Sequence, residues 1–398
     1  MNKTILKSNS AFVAIGESPS WTTGEDRCRL FSLVQNCNFS ISNQRQKLKQ
    51  LGSQGYSVND IVQAPSVELN FDYYLSPYLN NEYLLNMLAS SSDSIQAFSQ
   101  IKETNNNFYI VVDPEDGRDG FEKPKSSSIT STSYSGFNVV SFGNCYLNKY
   151  SVGFALNQLP VVSVGFEASN MKFDSLTGNY VTIPAINSIS GNSLKAGSLN
   201  LSGFYQTLES GFITGDPYGR TEYNPPVAMS NNTSFKLEDL QIGGVRLSTS
   251  SQPILQDFSI NIDLPRTPLY GLGSNYVYGR KLQYPINASV SMNALVSGFA
   301  SGFLSGILYN ENKYNFNIAF SDSLNSATGY YKIKNAKLDN FNYSIPLNNN
   351  MTFSAQFSVE ITDANGFFID RSVKYSYGPW SGINFIWQAL EVNWKMLE

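Results

Sequence analysis

The feature that most constrains this chain is that one stretch of it occurs twice. Residues 33–52, LVQNCNFSISNQRQKLKQLG, lie over residues 254–273, ILQDFSINIDLPRTPLYGLG, without a gap at an offset of 221. Gln35 falls on Gln256, Ile41 on Ile262, Arg45 on Arg266, Leu48 on Leu269 and Gly52 on Gly273. In each copy an alternating stretch leads to an arginine, then apolar residues, then a glycine that lets the chain turn. A second pair, 147–168 over 338–359, matches at an offset of 191, with Leu156 on Leu347, Asn157 on Asn348 and Phe166 on Phe357. Strand periodicity alone does not readily give two long ungapped matches in the same order. A period of this length means two copies of one domain, because solenoid repeats run to ~20–50 residues. The fall in offset from 221 to 191 gives the first copy 30 extra residues, placed between about Ala89 and Asn144.

Composition narrows the class. The chain has 398 residues, 14% aromatic and only 15% charged, with a net charge of −4. Aromatic and β-branched residues set among Ser, Asn, Thr and Gly read as an all-β protein. So few charges do little to keep molecules apart, which suits a surface largely covered by other subunits. Histidine is absent, so Ser-His-Asp, Cys-His and histidine-based metal sites are excluded. The three cysteines, Cys28, Cys37 and Cys145, form no CxxC and read as small apolar residues rather than a disulfide frame. The first 21 residues lack the pattern of a signal peptide, and no stretch approaches the ~20 apolar residues of a membrane helix.

The expected organisation is mainly β: two duplicated β-sandwich or barrel-like domains, each with a long hairpin and a flanking helix. The first spans 1–175, with an N-terminal arm and an insertion at about 90–143. An irregular connection with short strands follows at 176–247, then a second domain at 248–375 and a C-terminal amphipathic helix at 376–398. Alternation predicts strands at 31–43 and 66–74, a strand pair over 144–170, and short strands near 198–205 and 241–247. The spacing of Leu84, Leu85 and Leu88, with Glu82 in the first turn, predicts a helix over 81–101. Its counterpart over 292–308 is a weaker helix, interrupted by glycines. In the tail, Ile383, Ile386, Trp387, Leu390 and Trp394 fall at helical spacing, so that helix packs on its own chain or on a neighbour.

Chemical motifs are scarce. Residues 113–120, DPEDGRDG, gather Asp113, Glu115, Asp116 and Asp119, but Glu115 and Gly117 stand where a calcium loop needs its second and third ligands. The segment reads as a solvated turn. The glycine-bearing stretches 271–279 and 297–306 lack both the Walker lysine and the GxGxxG spacing. Glu167 and Glu360 could be cast as a glycosidase pair. Both lie on alternating strands opposite apolar neighbours, so they read as solvent-facing, and no acid/base constellation surrounds them. No enzymatic activity, cofactor or metal is expected.

The order of features resembles the tail tube (major tail) protein family of long-tailed bacteriophages. The residues that carry the resemblance are LQDFSINIDLPRTPLYGLG, INASVSMNAL and KLDNFNYSIPLNNNMTFSAQFSVEI in the second copy, and GNCYLNKYSVGFALNQLPVVSVGFEASNM in the first. It covers roughly two-thirds of the chain. The resemblance implies small β-sandwich domains whose sheets join side by side around a lumen for DNA, in rings that stack. Two fused domains imply three chains per ring with pseudo-sixfold symmetry. It further implies assembly in the bacterial cytoplasm, a place in the virion tail, and contact with a tape measure protein, other tail proteins and double-stranded DNA without sequence specificity, but not with a membrane. Under it, Arg45, Lys47, Leu48 and Gly52 of the first hairpin, and Arg266, Leu269, Gly273 and Arg280 of the second, contact the next ring. The competing use of each arginine is to cap its own hairpin. Glu82, Leu85, Trp387 and Trp394 are candidates for a helix or tail interface. The net charge of −4 is compatible with a lumen that does not hold phosphates. The alternative is a β-sandwich adhesin or receptor-binding protein, or another tail or decoration component, with aromatic residues stacking on sugars.

Overall fold

Alternating apolar residues on aromatic-rich stretches need a sheet with one buried face, and two long strands supply the bend that folds such a sheet over itself. A computed structural model describes residues 11–16, 28–43, 45–56, 58–61, 66–85, 87, 106–112, 137–175, 180–182, 198–200, 227–229, 233–237, 241–242, 245–247, 254–272, 277–299, 313–321, 327–347, 350–361 and 366–373. The first half holds β1 (Ala11–Gly16), β2 (Cys28–Leu30), β3 (Val34–Ser42), β4 (Arg45–Leu48), β5 (Val58–Ile61), β6 (Ser66–Tyr74), helix α1 (Asn80–Leu84), β7 (Asn106–Val112), β8 (Asn138–Ala155), β9 (Val161–Ala168) and β10 (Asn170–Ser175). Short strands follow: β11 (Tyr180–Thr182), β12 (Ser198–Asn200), β13 (Thr233–Leu237), β14 (Gln241–Ile242) and β15 (Val245–Arg246). The second half holds β16 (Leu255–Asp263), β17 (Arg266–Tyr270), β18 (Val277–Leu282), β19 (Ile286–Leu295), β20 (Gly298–Phe299), β21 (Lys313–Ser321), β22 (Ala327–Ser344), β23 (Thr352–Ile361) and β24 (Gly366–Val373). The chain is mainly β, as its composition implies.

Strand pairing repeats between the halves residue for residue. Cys37 of β3 faces Phe71 of β6, and Phe258 of β16 faces Met292 of β19, both at the offset of 221. Tyr150 of β8 faces Val164 of β9, and Phe341 of β22 faces Ala355 of β23, both at 191. Between these, Phe108 faces Phe142 and Phe316 faces Ile333, an offset of 208 for the first partner. The 30 residues are therefore lost in two places, before and after β7. Even the irregularities recur: bulges fall at Val34/Asn36 and Leu255/Asp257, and at Leu147/Lys149 and Leu338/Asn340.

A further recurring bulge is where each 18-residue strand, β8 or β22, passes from one sheet to the other. Asn144 and Asn335 hold positive φ angles of 50° and 60° there. Their amides donate to the Oδ1 atoms of Asn107, at 3.1 Å, and Asn315, at 2.9 Å. Asparagine tolerates the left-handed conformation that a β-branched residue resists. Above the bend, the outer half of each long strand joins the four-stranded sheet β3-β6-β9-β8 or β16-β19-β23-β22. Below it, the inner half joins β1-β7-β8-β10 or β13-β21-β22-β24.

Aromatic rings fill the space between the layers. Phe31, Phe71, Phe108 and Phe166 pack with centroids 4.5–5.9 Å apart in the first half. Tyr314, Phe316 and Phe357 do the same in the second, at 5.0 and 5.3 Å. Within the N-terminal arm, β1 docks on its own chain by pairing with β7.

The helices differ from expectation. Among the described residues of the first half only Asn80–Leu84 is helical; residues 88–101 lie outside the described residues. In the second half, Met292 and Leu295 belong to β19 and Phe299 to β20. The reason is local: Ile286, Ala288, Val290, Met292 and Ala294 are all buried, a period of two, and β19 has ladder partners on both sides. Period two across a doubly paired strand overrides a short period-3.6 coincidence.

The bend yields a prediction. Asn335→Gly should unfold at nearly the wild-type urea concentration, whereas Asn335→Val should lose ~2 kcal/mol from the strain of a β-branched residue at positive φ. Equal losses in the two variants would show that the backbone angle is not what matters there.

Candidate assembly surfaces

Edges, hairpins and the seam between the halves are the chemically distinctive parts of this molecule. At the seam, β16 pairs antiparallel with the outer part of β8, from Asp257 opposite Ala155 to Asp263 opposite Lys149. The ladder is extended at its ends by Leu156 N–H donating to the Gln256 carbonyl (2.9 Å) and Leu264 N–H donating to the Asn148 carbonyl (2.7 Å). Gln256 sits at the bulge of β16, so the irregularity turns a carbonyl to the other half. Above the ladder, Tyr150 and Phe154 of β8 pack on Phe320, Tyr331 and Phe367 of the second half, with centroids 5.8–6.4 Å apart. The hydroxyls of Tyr150 and Tyr331 meet at 2.8 Å.

That tyrosine pair connects to Glu82. The Tyr73 hydroxyl donates to Glu82 Oε1 at 2.9 Å and the Tyr150 hydroxyl lies 3.4 Å from the same atom. Glu82 and Leu85 are both buried, so they face the chain's own core. Asn81 fastens the helix in place: its Oδ1 accepts from the amide and hydroxyl of Ser32, at 2.9 and 3.1 Å, and its Nδ2 donates to the Ser32 carbonyl at 2.9 Å. Burial pushes the Glu82 carboxyl up from 4.5 to about 7, against the opposing pull of its own backbone amide and the two tyrosine hydroxyls.

The two hairpins have the same length and different surroundings. Arg45 faces Ile61 across β4–β5, and Arg266 faces Leu282 across β17–β18, again at 221. In the first hairpin Arg45, Lys47 and Leu48 are exposed. Lys47 Nζ lies 5.4 Å from the Tyr56 ring centre, and Gly52 makes the turn at φ +85°. In the second hairpin the cations reach the first half. Arg266 Nε donates to the Leu147 carbonyl at 2.9 Å, and its guanidinium stands 5.2 Å from the Tyr146 ring. Arg280 is buried and donates to Ser169 Oγ at 2.8 Å and Glu167 Oε1 at 3.0 Å. Leu269 is half-buried, and Leu272 at the tip is fully exposed. Gly273, Trp387, Trp394 and the acidic stretch 113–120 lie outside the described residues. The arginines of the second hairpin thus have a use not weighed from sequence: they clamp one half to the other.

Several sites were missed from sequence. Asn144 and Asn335 share the offset of 191 and extend the second match by three residues, which was a readable signal. The Tyr73–Glu82–Tyr150–Tyr331 cluster gave none, since its members are scattered over some 260 residues. Among the described residues no group of His, Cys, Asp or Glu could hold a metal ion, and no helix is long and apolar enough to cross a membrane. The Cys37 thiol is pushed up to about 12 by burial and by the nearby Asp72 carboxylate.

No family model and no curated protein matches this sequence. Among solved structures, the SPP1 tail tube, determined by solid-state NMR and cryo-electron microscopy, aligns with 43% of this chain and 80% of its own, at 9% identity and a TM-score of 0.26. An alignment at that score decides nothing about what the chain does.

Two outcomes are expected. Folded Glu82 holds its proton to a higher pH than unfolded Glu82, so its contribution is full below about pH 4.5 and is lost as pH rises through about 7. By linkage the loss is ~2–4 kcal/mol. Glu82→Gln should flatten the wild-type fall in melting temperature over that window, and parallel curves for the two proteins would assign the fall elsewhere. Arg280→Met should cost ~2–3 kcal/mol in urea unfolding, less than a fully buried pair because Glu167 keeps some solvent.

Proposed function

We propose that this chain is a structural virion protein that associates edge to edge into rings, and that the rings stack into a phage tail tube through which DNA passes. The observation that carries this reading is the seam. Two units of equivalent strand pairing are joined by a ladder between β8 and β16, so a unit of this kind already pairs with its own copy. A contact between different surfaces of like units is heterologous, and it closes into a ring when the rotation permits. Closure also removes the exposed strand edges that otherwise lead to aggregation. With two units per chain, three chains make a six-unit ring. On this reading a tape measure protein and double-stranded DNA occupy the lumen, other tail proteins cap the ends, and the chain works by assembly rather than by catalysis.

The test is to express the whole chain and examine it by size-exclusion chromatography and negative-stain microscopy. Stacked rings or tubes of uniform diameter are expected. A monomer that never polymerises, at high concentration and with tail initiator proteins present, would remove the tube reading and favour a β-sandwich adhesin.

A further inference from the structure

We infer that the free edge of β3 in one copy of this chain pairs antiparallel with the free edge of residues 339–347 in a second copy, in a register already written in the seam. The inference rests on the self-assembly reading and specifies its joint. Among the described residues, β3 pairs only with β6, and the outer part of β22 pairs only with β23. Their counterparts, β16 and the outer part of β8, pair with each other.

Carrying the seam over by the offsets of 221 and 191 fixes every pair. Ile260 opposite Val152 becomes Phe39 opposite Tyr343; Phe258 opposite Phe154 becomes Cys37 opposite Ile345; Asn261 opposite Ser151 becomes Ser40 opposite Asn342. The Leu156 amide and the Gln256 carbonyl become the Leu347 amide and the Gln35 carbonyl. Gln35 occupies the same bulge as Gln256. The one proline in the segment, Pro346, takes the place of Ala155. That position is a non-hydrogen-bonded one toward the neighbour, where no amide is needed.

Burial agrees with the transfer. Phe258, Ile260, Val152 and Phe154 are all buried at the seam. At the outer edges Phe39, Ile41, Tyr343 and Ile345 stand 40%, 46%, 49% and 67% exposed. Such a pair of apolar edges on one molecule calls for a partner. The floor beneath is prepared as well. Where Tyr150 and Phe154 rest on Phe367, Tyr331 and Phe320, the equivalent positions are Met171, Val140 and Val112, with Phe173 beside them 61% exposed although its counterpart Ile369 is buried.

The joint between chains is softer than the seam within one. The Tyr150–Tyr331 hydroxyl contact maps onto Phe341 and Val140, which have no hydroxyls. Arg280 and Glu167 map onto Asn59 and Ser358, which carry no charge. The Arg266–Leu147 tie has a counterpart in Arg45 with the Leu338 carbonyl of the neighbouring copy, and the Arg280–Ser169 contact has an uncharged donor, Asn59, facing Glu360. Within a chain the joint is fixed on folding, and between chains it rests chiefly on apolar contact and the ladder.

Paired cysteines test this on the full chain. Ser40 and Asn342 become a non-hydrogen-bonded pair, with Cα atoms ~4.5 Å apart, inside the range a disulfide spans. After oxidation of assembled S40C/N342C protein, a non-reducing gel should show a ladder of covalent multimers ending at the number of chains in a ring. S40C/S344C, two residues out of register because Ser344 falls opposite Asn38, should give at least tenfold less, and each single variant no ladder. Ile345→Lys changes an exposed residue, so it should fold with the wild-type circular dichroism spectrum and stay monomeric, melting below the assembled wild type only by what assembly adds. Tubes that form while S40C/N342C gives no ladder would overturn the edge and register assigned here and leave the tube reading intact. Wild-type assembly by Ile345→Lys would do the same. A wild-type chain that stays monomeric would overturn both, with the edges covered by its own chain.

Discussion

Everything in this molecule depends on where the backbone of a strand edge finds its hydrogen bonds. An edge offers a row of amides and carbonyls that must meet another strand or water. The chain satisfies one such edge internally, by running β16 along β8. That single ladder makes two repeated units into one sheet, sets the second hairpin against the first half, and brings Tyr150 onto Tyr331. Remove it and the two halves keep their own pairings but have no reason to share a core.

The polar groups around the seam decide how firmly it is held. Glu82, Tyr73, Tyr150 and Tyr331 form a continuous chain of contacts from helix α1 through the first half to the second. In a low-dielectric interior such groups must be matched or they destabilise the fold. Matching them ties the relative position of the halves to a short list of atoms. Arg280 with Glu167 and Ser169 adds a second clamp on the outer side. Duplication alone does not produce these ties: Tyr73, Tyr150 and Tyr331 are matched by Ala294, Phe341 and Val140, and Arg280 and Glu167 by Asn59 and Ser358. The two copies have diverged into a fixed joint and an unfilled one.

The sequence determined the duplication, its two offsets and the mainly β class. Two long ungapped matches with strand periodicity leave few other architectures, and the paired strands of the outer sheets, their register and their bulges fall at those offsets. It also determined the long hairpins, because an arginine, an apolar run and a glycine recur at the same spacing. Asn144 and Asn335 were equally legible at the offset of 191.

Tertiary structure alone decided the rest. Within the described part of the expected second helix, 292–299, strand replaces helix because residues 286–295 alternate and gain partners on both sides, and ladder pairing outweighs a short helical spacing. In the sequence Glu82 was legible only as a first-turn residue and a candidate for a helix or tail interface. Only the meeting of three tyrosines from β6, β8 and β22 shows why it can be buried. Arg266 and Arg280 match arginine or asparagine in the other copy and carry no sign of their targets. Their use follows from which half lies beside the hairpin, and a backbone ladder between residues more than a hundred positions apart sets that. Local sequence encodes the period of a strand, whereas the identity of its neighbour is a property of the whole chain.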